Sequence, residues 1–274
     1  LFSARKIRLA VPRLASATLL AGYFSHPEWL VRRWLTQFGA EPTRRLLEWN
    51  QQPAPLHARW RPAAGGAEPP EWFKPTPWPG FFELPPGRWN EVEALLRSGR
   101  VYLQDPAARL AVELLAPRAG EIVLDACAAP GGKSLLLADA LGAATGGAAG
   151  RLVALDLPGP RIERLKENLS RAGPVDVARV QGDLLETGYR LLDEHGLPTE
   201  FPAVLVDVPC SNTGVMRHRV DVKWRLQEGD FRRHARQELS LLHAAARLVA
   251  PGGRLVYSTC SIDPEENAQV VRVF

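Results

Sequence analysis

One stretch of the sequence, residues 122–134, constrains the fold more than any other. It opens with an apolar run at 122–124 that is typical of a buried strand, and an acidic residue, Asp125, stands where that strand should end. A loop of small residues at 126–132 follows, and a helical run begins at Ser134. A strand, a tight loop and a helix form the first unit of a doubly wound parallel sheet, where loop N–H groups and the helix N-terminus bind ligands. Because no large side chain blocks the main chain, this stretch predicts a ligand site as well as a fold.

The loop departs from the two common phosphate-binding motifs. A Walker A loop, G-x-x-x-x-G-K-[ST], nearly fits residues 127–134, but Cys127 stands where the first glycine belongs. The dinucleotide fingerprint G-x-G-x-x-G does not occur in this stretch. An ordinary strand-to-helix turn without a ligand is the alternative that these residues leave open.

The chain beyond residue 104 alternates between strand-like and helix-like runs. Further strands are predicted at 152–155, 177–180, 203–206 and 254–258, and helices at 106–115, 160–172 and 231–249. Strands that alternate with helices in this way predict an α/β, Rossmann-like domain whose parallel sheet is covered on both faces. We expect its strands to lie in the order 3-2-1-4-5, counted from the strand at 122–124.

The part of the chain before this sheet has a different character. Residues 1–50 carry helical patterns, with Ser25 as a candidate helix cap and Gly39 at a helix end. Residues 51–103 are rich in proline and tryptophan and predict a small α+β module. We therefore predict a helical N-terminal segment, a small module rich in proline and tryptophan and an α/β domain, with the bounds 1–50, 51–103 and 104–274.

The small module contains four tryptophans whose role the sequence leaves open. Aromatic side chains can stack on bases of single-stranded nucleic acid. They can also fill a small core between loops, and we favour that interpretation here. The tryptophans in question are Trp60, Trp72, Trp78 and Trp89.

Composition narrows the class of protein further. The chain of 274 residues has a formal net charge of +4 and a pI of about 9.2, which suits a nucleic-acid partner. No apolar run approaches the ~20 residues of a membrane span. The cysteines are few and odd in number, Cys127, Cys210 and Cys260, which argues for a reducing compartment rather than a disulfide framework. We expect a cytoplasmic monomer with no metal and no membrane contact.

Acidic residues mark the ends of four successive strands, at Asp125, Asp156, Asp183 and Asp207. The carboxyl ends of parallel strands line one crevice, where Asp156 is placed to bind ribose hydroxyls and Asp183 an adenine amino group. Such an acidic crevice repels a triphosphate, and only Lys133 supplies a positive charge that would reduce the repulsion. The pattern favours an adenosine ligand whose reactive end is cationic.

Two thiols follow the ends of the last two strands. Cys210 stands shortly after Asp207, and Cys260 shortly after Ser258. Neighbouring strands lie ~4.8 Å apart, so we expect both thiols at one crevice mouth. Two thiols there suggest covalent catalysis, and Lys133 and helix N-termini could supply the positive charge that a thiolate needs. Cys127 is as readily explained as a small buried hydrophobe.

These motifs resemble a known family. The segments Leu124-Asp125-Ala126-Cys127-Ala128-Ala129-Pro130-Gly131-Gly132-Lys133-Ser134, Asp207-Val208-Pro209-Cys210-Ser211 and Thr259-Cys260-Ser261 closely resemble the Sun family of S-adenosylmethionine-dependent RNA cytosine-C5 methyltransferases, and within it the bacterial members that act on 16S ribosomal RNA. The resemblance is specific over 104–267 and weaker over 25–61. The resemblance implies that the module at 51–103 binds RNA and that residues 1–22 are the tail of a NusB-like helical domain.

The resemblance implies a cofactor, S-adenosyl-L-methionine, and residues that bind it. The loop would hold the methionine part, Asp156 the ribose and Asp183 the adenine, with Arg161 as a helper and Asp207 between cofactor and base. The cofactor-binding set is then Cys127, Ala128, Ala129, Pro130, Gly131, Gly132, Lys133, Asp156, Arg161, Asp183 and Asp207.

The resemblance also implies catalytic roles. Cys260 would attack C6 of the cytosine, Cys210 would assist release of the adduct, and Asp207 would bond the base at N3 or N4, with Lys133 completing the catalytic set. The residues alone leave Cys210 and Cys260 exchangeable, because DNA cytosine methyltransferases use the cysteine of a Pro-Cys motif. Only the resemblance decides for Cys260.

Basic residues after Cys210 suggest an RNA contact. The runs 217–219, 223–225 and 232–234 predict phosphate contacts beside a flipped or looped-out cytosine, with a solvated surface as the alternative.

Some features depart from the family pattern. Residues 61–99 carry little of it, and the printed sequence stops at Phe274, where the family continues its sheet. We therefore expect a fragment with a C-terminally truncated sheet, whose strand at 254–258 is an exposed edge. Three rival functions stay open: a P-loop nucleotide hydrolase, a DNA cytosine methyltransferase, and an RNA-binding assembly factor without catalysis.

Overall fold

The computed structural model describes residues 16–61, 68–142 and 150–274. Most of the predicted NusB-like tail at 1–22 lies outside these residues. The chain divides into two compact units, each assembled from separate segments. The first comprises Leu1–Ala54, Ser211–Arg233 and Cys260–Asp263, and the second Pro55–Cys210, His234–Thr259 and Pro264–Phe274.

Helices and strands are numbered here in chain order. The α-helices are α1 Ala17–Tyr23, α2 Glu28–Phe38, α3 Ala40–Gln51, α4 Trp89–Arg97, α5 Arg109–Leu115, α6 Gly132–Gly142, α7 Pro160–Leu169, α8 Leu184–Glu194, α9 Val222–Arg225, α10 Asp230–Ala246 and α11 Ala268–Val273. The strands are β1 His57–Trp60, β2 Lys74–Pro75, β3 Phe81–Glu83, β4 Val101–Leu103, β5 Ile122–Asp125, β6 Arg151–Asp156, β7 Asp176–Gln181, β8 Phe201–Asp207 and β9 Val249–Ser258.

The described part of the first unit is mainly helical, and its core forms around α2 and α3. Trp34 and Leu47 are fully buried there and belong to one apolar cluster with Phe231. The predicted cap at Ser25 is wrong: Ser25 has a left-handed φ of 50°, and Pro27 occupies the N-cap position of α2. An N-cap residue needs extended backbone to aim its side chain at the first turn, which Ser25 does not have.

The second unit begins with a small antiparallel sheet in the order β2-β3-β1-β4. Trp60 and Trp72 pack on its apolar cluster beside Phe73, as the core interpretation predicts. Trp78 and Trp89 differ, since they are 37% and 54% exposed. The tryptophans therefore divide into two that stabilise the module and two that leave aromatic surface open to solvent.

A parallel five-stranded sheet forms the main body of the second unit. Its order is β7-β6-β5-β8-β9, so the predicted Rossmann-like order 3-2-1-4-5 and the α/β fold class are confirmed. Helix residues cover both faces, with Leu135 and Leu165 in the apolar cluster on one side and Leu192 and Leu242 in that on the other. In this register Asp207 pairs with Ser258, so β8 and β9 end side by side.

Several elements differ from those predicted. Helix α8 was not foreseen, although Leu184 and Leu192 are buried along it. The helix predicted at 231–249 ends at Ala246, and β9 starts at Val249. The turn at 251–253 interrupts β9 instead of preceding it, since the pairing with β8 shifts there and Gly252 takes a φ of 75°.

A buried ion cluster joins the small sheet to the helix that follows the small-residue loop. Arg59 and Arg61 of the β1 segment both pair with Asp139 of α6, and all three are almost fully buried. Arg61 donates to Asp139 at 2.7 and 3.0 Å and to the Arg171 carbonyl at 2.6 Å. Burial lowers the pKa of Arg59, and the carboxylate opposes that shift. The cluster depends on its single carboxylate.

Replacing that carboxylate by an amide is expected to destabilise the protein. Asp139→Asn leaves two buried guanidinium groups facing a neutral side chain, so the free energy of unfolding should fall by about 3 kcal/mol. Urea denaturation followed by circular dichroism measures the change. The matched control is Glu93→Gln, in an exposed pair with Arg97, which should change it by less than about 0.5 kcal/mol. Equal losses in both variants would contradict a structural role for the cluster.

Membrane-spanning helices and metal-site geometry can be assessed only for the described residues. Within residues 16–61, 68–142 and 150–274, no helix combines the length and the apolar character needed to cross a bilayer. The same ranges contain no cluster of three His, Cys, Asp or Glu side chains with the geometry of a metal site.

Candidate active site

The loop between β5 and α6 is held by hydrogen bonds from two neighbouring elements. At the end of β6, Asp156 accepts from the Ala129 N–H at 2.6 Å through one oxygen and from its own neighbour, Leu157, through the other. Arg161 of α7 donates to the Ala129 carbonyl, and Asn168 donates to the Pro130 carbonyl at 2.7 Å. Side chains from β6 and α7 therefore hold the backbone of this loop.

Packing is tight around both glycines of the loop. Gly131 has a φ of 105°, and a Cβ there would lie 3.0 Å from the Leu165 side chain. A Cβ on Gly132 would lie 3.2 Å from the Gln104 amide nitrogen. A close approach of the backbone to protein neighbours thus explains these glycines, in addition to any approach to a ligand.

Three of the four strand-end carboxylates lie close enough to affect one another. Asp125 is fully buried, and its pKa is raised to about 7, chiefly by burial and further by the charges of Asp207 and Asp156, while the Ser134 hydrogen bond and Lys133 oppose the shift. The Ser134 hydroxyl donates to one Asp125 oxygen at 2.6 Å. The other oxygen is buried and has no hydrogen-bond partner among the described residues. The site thus gathers three carboxylates, with Lys133 and Arg161 as nearby cations.

Lys133 forms the ion pair that partly neutralises this charge. Its ammonium lies 2.7 Å from one carboxylate oxygen of Asp207, and the Ser258 hydroxyl donates to the other. Lys133 is the second residue of α6, whereas Asp207 and Ser258 end β8 and β9. Three separate elements therefore fix the Asp207 carboxylate at the edge of the sheet.

Asp183 caps a helix, and Cys127 packs on the core beside the carboxylate cluster. Asp183 follows β7 and caps α8, accepting from the Leu185 N–H at 2.8 Å. Cys127 packs against the apolar cluster of one sheet face, and burial together with nearby carboxylates raises the pKa of its thiol far above the usual value. Cys127 is therefore a neutral thiol in the loop, which suits the structural interpretation.

The two remaining cysteines belong to different units. Cys210 is buried in the second unit, three residues beyond the end of β8. Cys260 is half-buried in the first unit, two residues beyond the end of β9, and its Sγ lies 3.1 Å from the Asn212 side-chain oxygen. The convergence of the two thiols at one crevice stays a prediction.

The basic runs after Cys210 do not form one uniform surface. Arg217 stacks on the exposed Trp49 ring, with 4.1 Å between guanidinium carbon and ring centroid, and donates to the Pro53 carbonyl at 2.5 Å. Lys223 is only 3% exposed, and burial lowers its pKa. Arg219 and Arg225 are exposed. Contact of these runs with phosphate groups remains a prediction. Within the run at 223–225, the exposed Arg225 suits such a contact better than the buried Lys223.

The buried Asp125 gives the stability of the protein a pH dependence. With a native pKa of about 7, against 3.8 as the ordinary value, Asp125 binds its proton more tightly in the folded state. Stability from this group is full below pH 3.8 and is lost as the pH rises through 7. Asp125→Asn removes the titration, so the melting temperature of the variant minus that of the wild type should increase between about pH 5 and about pH 8. A difference that is constant or shrinks over this range would contradict the assignment.

Several residues of the site were not foreseen from the sequence. The Ser258 hydroxyl donates to Asp207, and the Asn168 amide donates to the loop. The Asn212 side-chain oxygen lies beside the Cys260 thiol. Ser258 could have been found, because it ends its strand directly beside the strand that ends at Asp207. Asn168 and Asn212 carry no comparable signal, since a helix interior and a surface loop accept asparagine without a functional reason.

Comparison with known proteins assigns the family. A protein-family model described as "16S rRNA methyltransferase RsmB/F" matches residues 112–274, more than half of the chain. The chain belongs to this family.

Curated relatives extend the similarity beyond that domain. The chain is 33% identical over 260 residues to "Ribosomal RNA small subunit methyltransferase B" of Cronobacter sakazakii, covering 91% of this chain and 57% of the relative. It is 34% identical over 275 residues to "Probable ribosomal RNA small subunit methyltransferase B" of Bacillus subtilis, covering 96% and 57%. The chain thus spans somewhat more than half the length of these relatives.

A solved structure supports the fold. The crystal structure of a methyltransferase homolog protein from Pyrococcus horikoshii is 28% identical and superposes with a TM-score of 0.72, covering 95% of this chain and 82% of that one. The resemblance to the Sun family inferred from the motifs is therefore confirmed, over the α/β domain and over most of the chain before it.

Proposed function

We propose that this RsmB/F-family chain belongs to an enzyme that transfers a methyl group from S-adenosyl-L-methionine to C5 of a cytosine in small-subunit ribosomal RNA. The observation that carries the proposal is the pairing of Asp207 with Ser258 at the ends of two neighbouring parallel strands. That register places a carboxylate paired with Lys133 at the sheet edge from which the chain runs on to Cys210 and to Cys260. The names of the relatives support the substrate class.

The charges of the site suit a cationic methyl donor. Asp125, Asp156 and Asp207 interact electrostatically around the loop, and Asp125 carries a buried oxygen without a protein partner among the described residues. A nucleoside triphosphate would add several negative charges to this crevice, which disfavours a P-loop hydrolase. An adenosine compound that carries a positively charged sulfonium is instead attracted by these carboxylates.

The cofactor contacts follow from the elements that end at the site. The loop at 127–133 would cradle the amino-acid end of the donor through its backbone groups, and Asp156 retains lone pairs for ribose hydroxyls. Asp183 would accept from the adenine amino group while it caps α8. Arg161 acts by holding the Ala129 carbonyl and so shapes the loop. The donor, when bound, supplies an electrophilic methyl group on sulfur.

The chemistry needs a nucleophile because C5 of cytosine is a poor one by itself. The Cys260 thiolate adds to C6, forming a C–S bond and shifting an electron pair towards C5 and the ring, where the Asp207 carboxyl group bonds N3 or N4. C5 then takes the methyl group, and the methyl–sulfur bond of the donor breaks. Cys210 assists removal of the C5 proton, after which the electron pair reforms the C5–C6 double bond and expels the Cys260 thiolate.

The RNA must present its target base outside a helix. A cytosine inside a duplex cannot bring C6 to a thiol, so we infer a single-stranded or flipped-out base. The exposed Trp78 and Trp89 of the small module and the exposed Arg219 and Arg225 offer stacking and phosphate contacts. A partner of this kind, together with the reduced cysteines, also supports a cytoplasmic location.

Methyl transfer to ribosomal RNA tests the proposal. The complete natural protein is incubated with labelled S-adenosyl-L-methionine and small-subunit RNA that lacks base methylation, and 5-methylcytosine is mapped by bisulfite sequencing. We expect label at cytosine C5 in RNA and none in a DNA of the same sequence.

Each rival function predicts a different result in that assay. Equal transfer to DNA would favour a DNA methyltransferase, and RNA binding without transfer would favour an assembly factor. A thermal shift with ATP or GTP but not with S-adenosyl-L-methionine would favour a P-loop hydrolase. Any of these three results would contradict the proposal.

A further inference from the structure

The loop that carries Cys260 is packed directly against the loop that follows Cys210. Within the first unit, the Gly214 N–H donates to the Cys260 carbonyl at 2.9 Å, and the Ile262 N–H donates to the Thr213 hydroxyl at 3.1 Å. A Cβ on Gly214 would lie 2.8 Å from the Cys260 carbonyl oxygen, closer than real contacts allow. The conformation of the Cys260 loop is therefore tied to the Thr213–Gly214 backbone.

A buried carboxylate fixes the other end of the Cys260 loop. Asp263 is fully buried, and its two oxygens accept from Arg33 at 2.9 Å and from the Thr213 hydroxyl at 2.7 Å. Its own N–H donates to the Ser261 hydroxyl at 3.1 Å. Charge-assisted bonds of this kind are stronger than neutral ones, and a buried carboxylate that loses its cation is strongly destabilised.

Helix α2 supplies both outer contacts of this loop. Arg33 holds Asp263 and lies over the Phe231 ring at 4.0 Å, which fixes its guanidinium. One turn further along, Gln37 donates to the Ile262 carbonyl at 3.3 Å. Arg33 and Gln37, one turn apart on α2, thus donate hydrogen bonds to adjacent residues of the loop that begins at Cys260.

We propose that Arg33 and Asp263 are positioning residues that hold the Cys260 thiol in its reactive placement. The inference rests on the proposed function, in which Cys260 attacks the base. A nucleophile on a loop loses rate steeply when its position is relaxed, because attack requires the reacting atoms to stay near contact distance. The helical segment before the small module is thereby part of the catalytic apparatus and not merely a connection.

The rate of covalent trapping on RNA tests the proposal. With RNA that contains 5-fluorocytosine at the target, Arg33→Ala and Asp263→Asn in the complete protein are expected to form the adduct at least tenfold more slowly than the wild type. Arg33→Lys, which keeps the cation, should recover part of the rate. The matched control is Arg32→Ala: the Arg32 side chain is 70% exposed and pairs with Glu28, so its rate should stay within twofold.

Alkylation of Cys260 in the absence of RNA separates this proposal from the proposed function. Iodoacetamide labelling, quantified on the Cys260 peptide by mass spectrometry, should be at least threefold faster in Arg33→Ala, because the loosened loop exposes the thiol. If the wild type forms no RNA adduct, the proposed function fails, while the alkylation rates still report on the loop.

Rates within twofold of the wild type in both assays, for a folded Arg33→Ala variant, would overturn the positioning role. If that variant does not fold, Thr213→Val provides the test, since it removes one hydroxyl and keeps the shape of the side chain. Trapping by Thr213→Val is expected to be several-fold slower. A wild-type rate in Thr213→Val would equally overturn the proposal.

Discussion

Cys260→Ala is expected to lower the rate of methyl transfer to RNA by at least about 10³-fold, because in the proposed mechanism the Cys260 thiolate raises the electron density at C5. Binding of S-adenosyl-L-methionine should be unchanged, since the loop at 126–132 and Asp156 are intact in this variant. Cys210→Ala should behave differently. It is expected to stall after methyl transfer and to accumulate a covalent protein–RNA complex on ordinary, unfluorinated RNA.

The measurements are steady-state transfer of labelled methyl groups and denaturing gels that retain covalent complexes. Calorimetric binding of the donor is the control for folding in both variants. If Cys260→Ala still forms the complex while Cys210→Ala does not, the roles of the two thiols are reversed. Residual transfer above about one tenth of the wild-type rate in both variants would exclude covalent catalysis by either cysteine.

Asp207→Asn and Lys133→Ala are expected to lower the rate of transfer by about 10²- to 10³-fold each. Lys133 and Asp207 form a 2.7 Å ion pair, and Ser258 orients the second carboxylate oxygen. Removing the cation leaves Asp207 among like charges, and removing the carboxylate removes the proposed contact with the base. Because the two act as a unit, the double variant should lose little more than either single variant.

Lys166→Ala is the control for the loss of a lysine. Lys166 pairs with Glu163 on α7, and both side chains are largely solvent-accessible, so its transfer rate should stay within about twofold of the wild type. Lys133→Arg is not expected to restore activity, because a guanidinium is larger and differs in donor geometry from an ammonium. Strictly additive losses in the double variant would show that the two residues act independently.

The sequence predicts the sheet well because its strands are short, apolar and separated by clear turn residues. Runs such as 122–124 and 203–206 are buried on both faces, and parallel pairing of such runs leaves few alternative orders. The acids that follow them fall at one edge because the carboxyl ends of parallel strands coincide. The ion pair of Asp207 with Lys133 was not foreseen, since it depends on side-chain directions that no spacing reveals.

Most of the contacts that the sequence did not predict join residues that are far apart in the chain. Arg33 and Asp263 are 230 positions apart, and neither belongs to a motif. Arg59 and Asp139 likewise meet only when the small sheet packs on α6. From the sequence alone, such residues are predicted to be exposed, because a basic or acidic residue on a helix is usually solvated. Their burial follows from tertiary packing alone.

Local conformation explains the remaining differences. Ser25 has the chemistry of a cap, but its left-handed backbone directs the chain into α2 through Pro27. Helix α8 contains Gly188 within an otherwise amphipathic run, which weakens its helical signal. At 251–253 proline and glycine indicate a break, and the structure places that break inside β9 because a bulge absorbs it.

The atom of the protein that bonds to the RNA distinguishes the proposed mechanism from its alternatives. The complete protein is trapped on small-subunit RNA containing 5-fluorocytosine in the presence of S-adenosyl-L-methionine, digested, and analysed by mass spectrometry to locate the cross-linked residue. We predict one cross-link, between Cys260 Sγ and C6 of a cytosine that has gained a methyl group. A cross-link at Cys210, or methylated RNA released with no covalent complex from wild type and from Cys210→Ala alike, would contradict it.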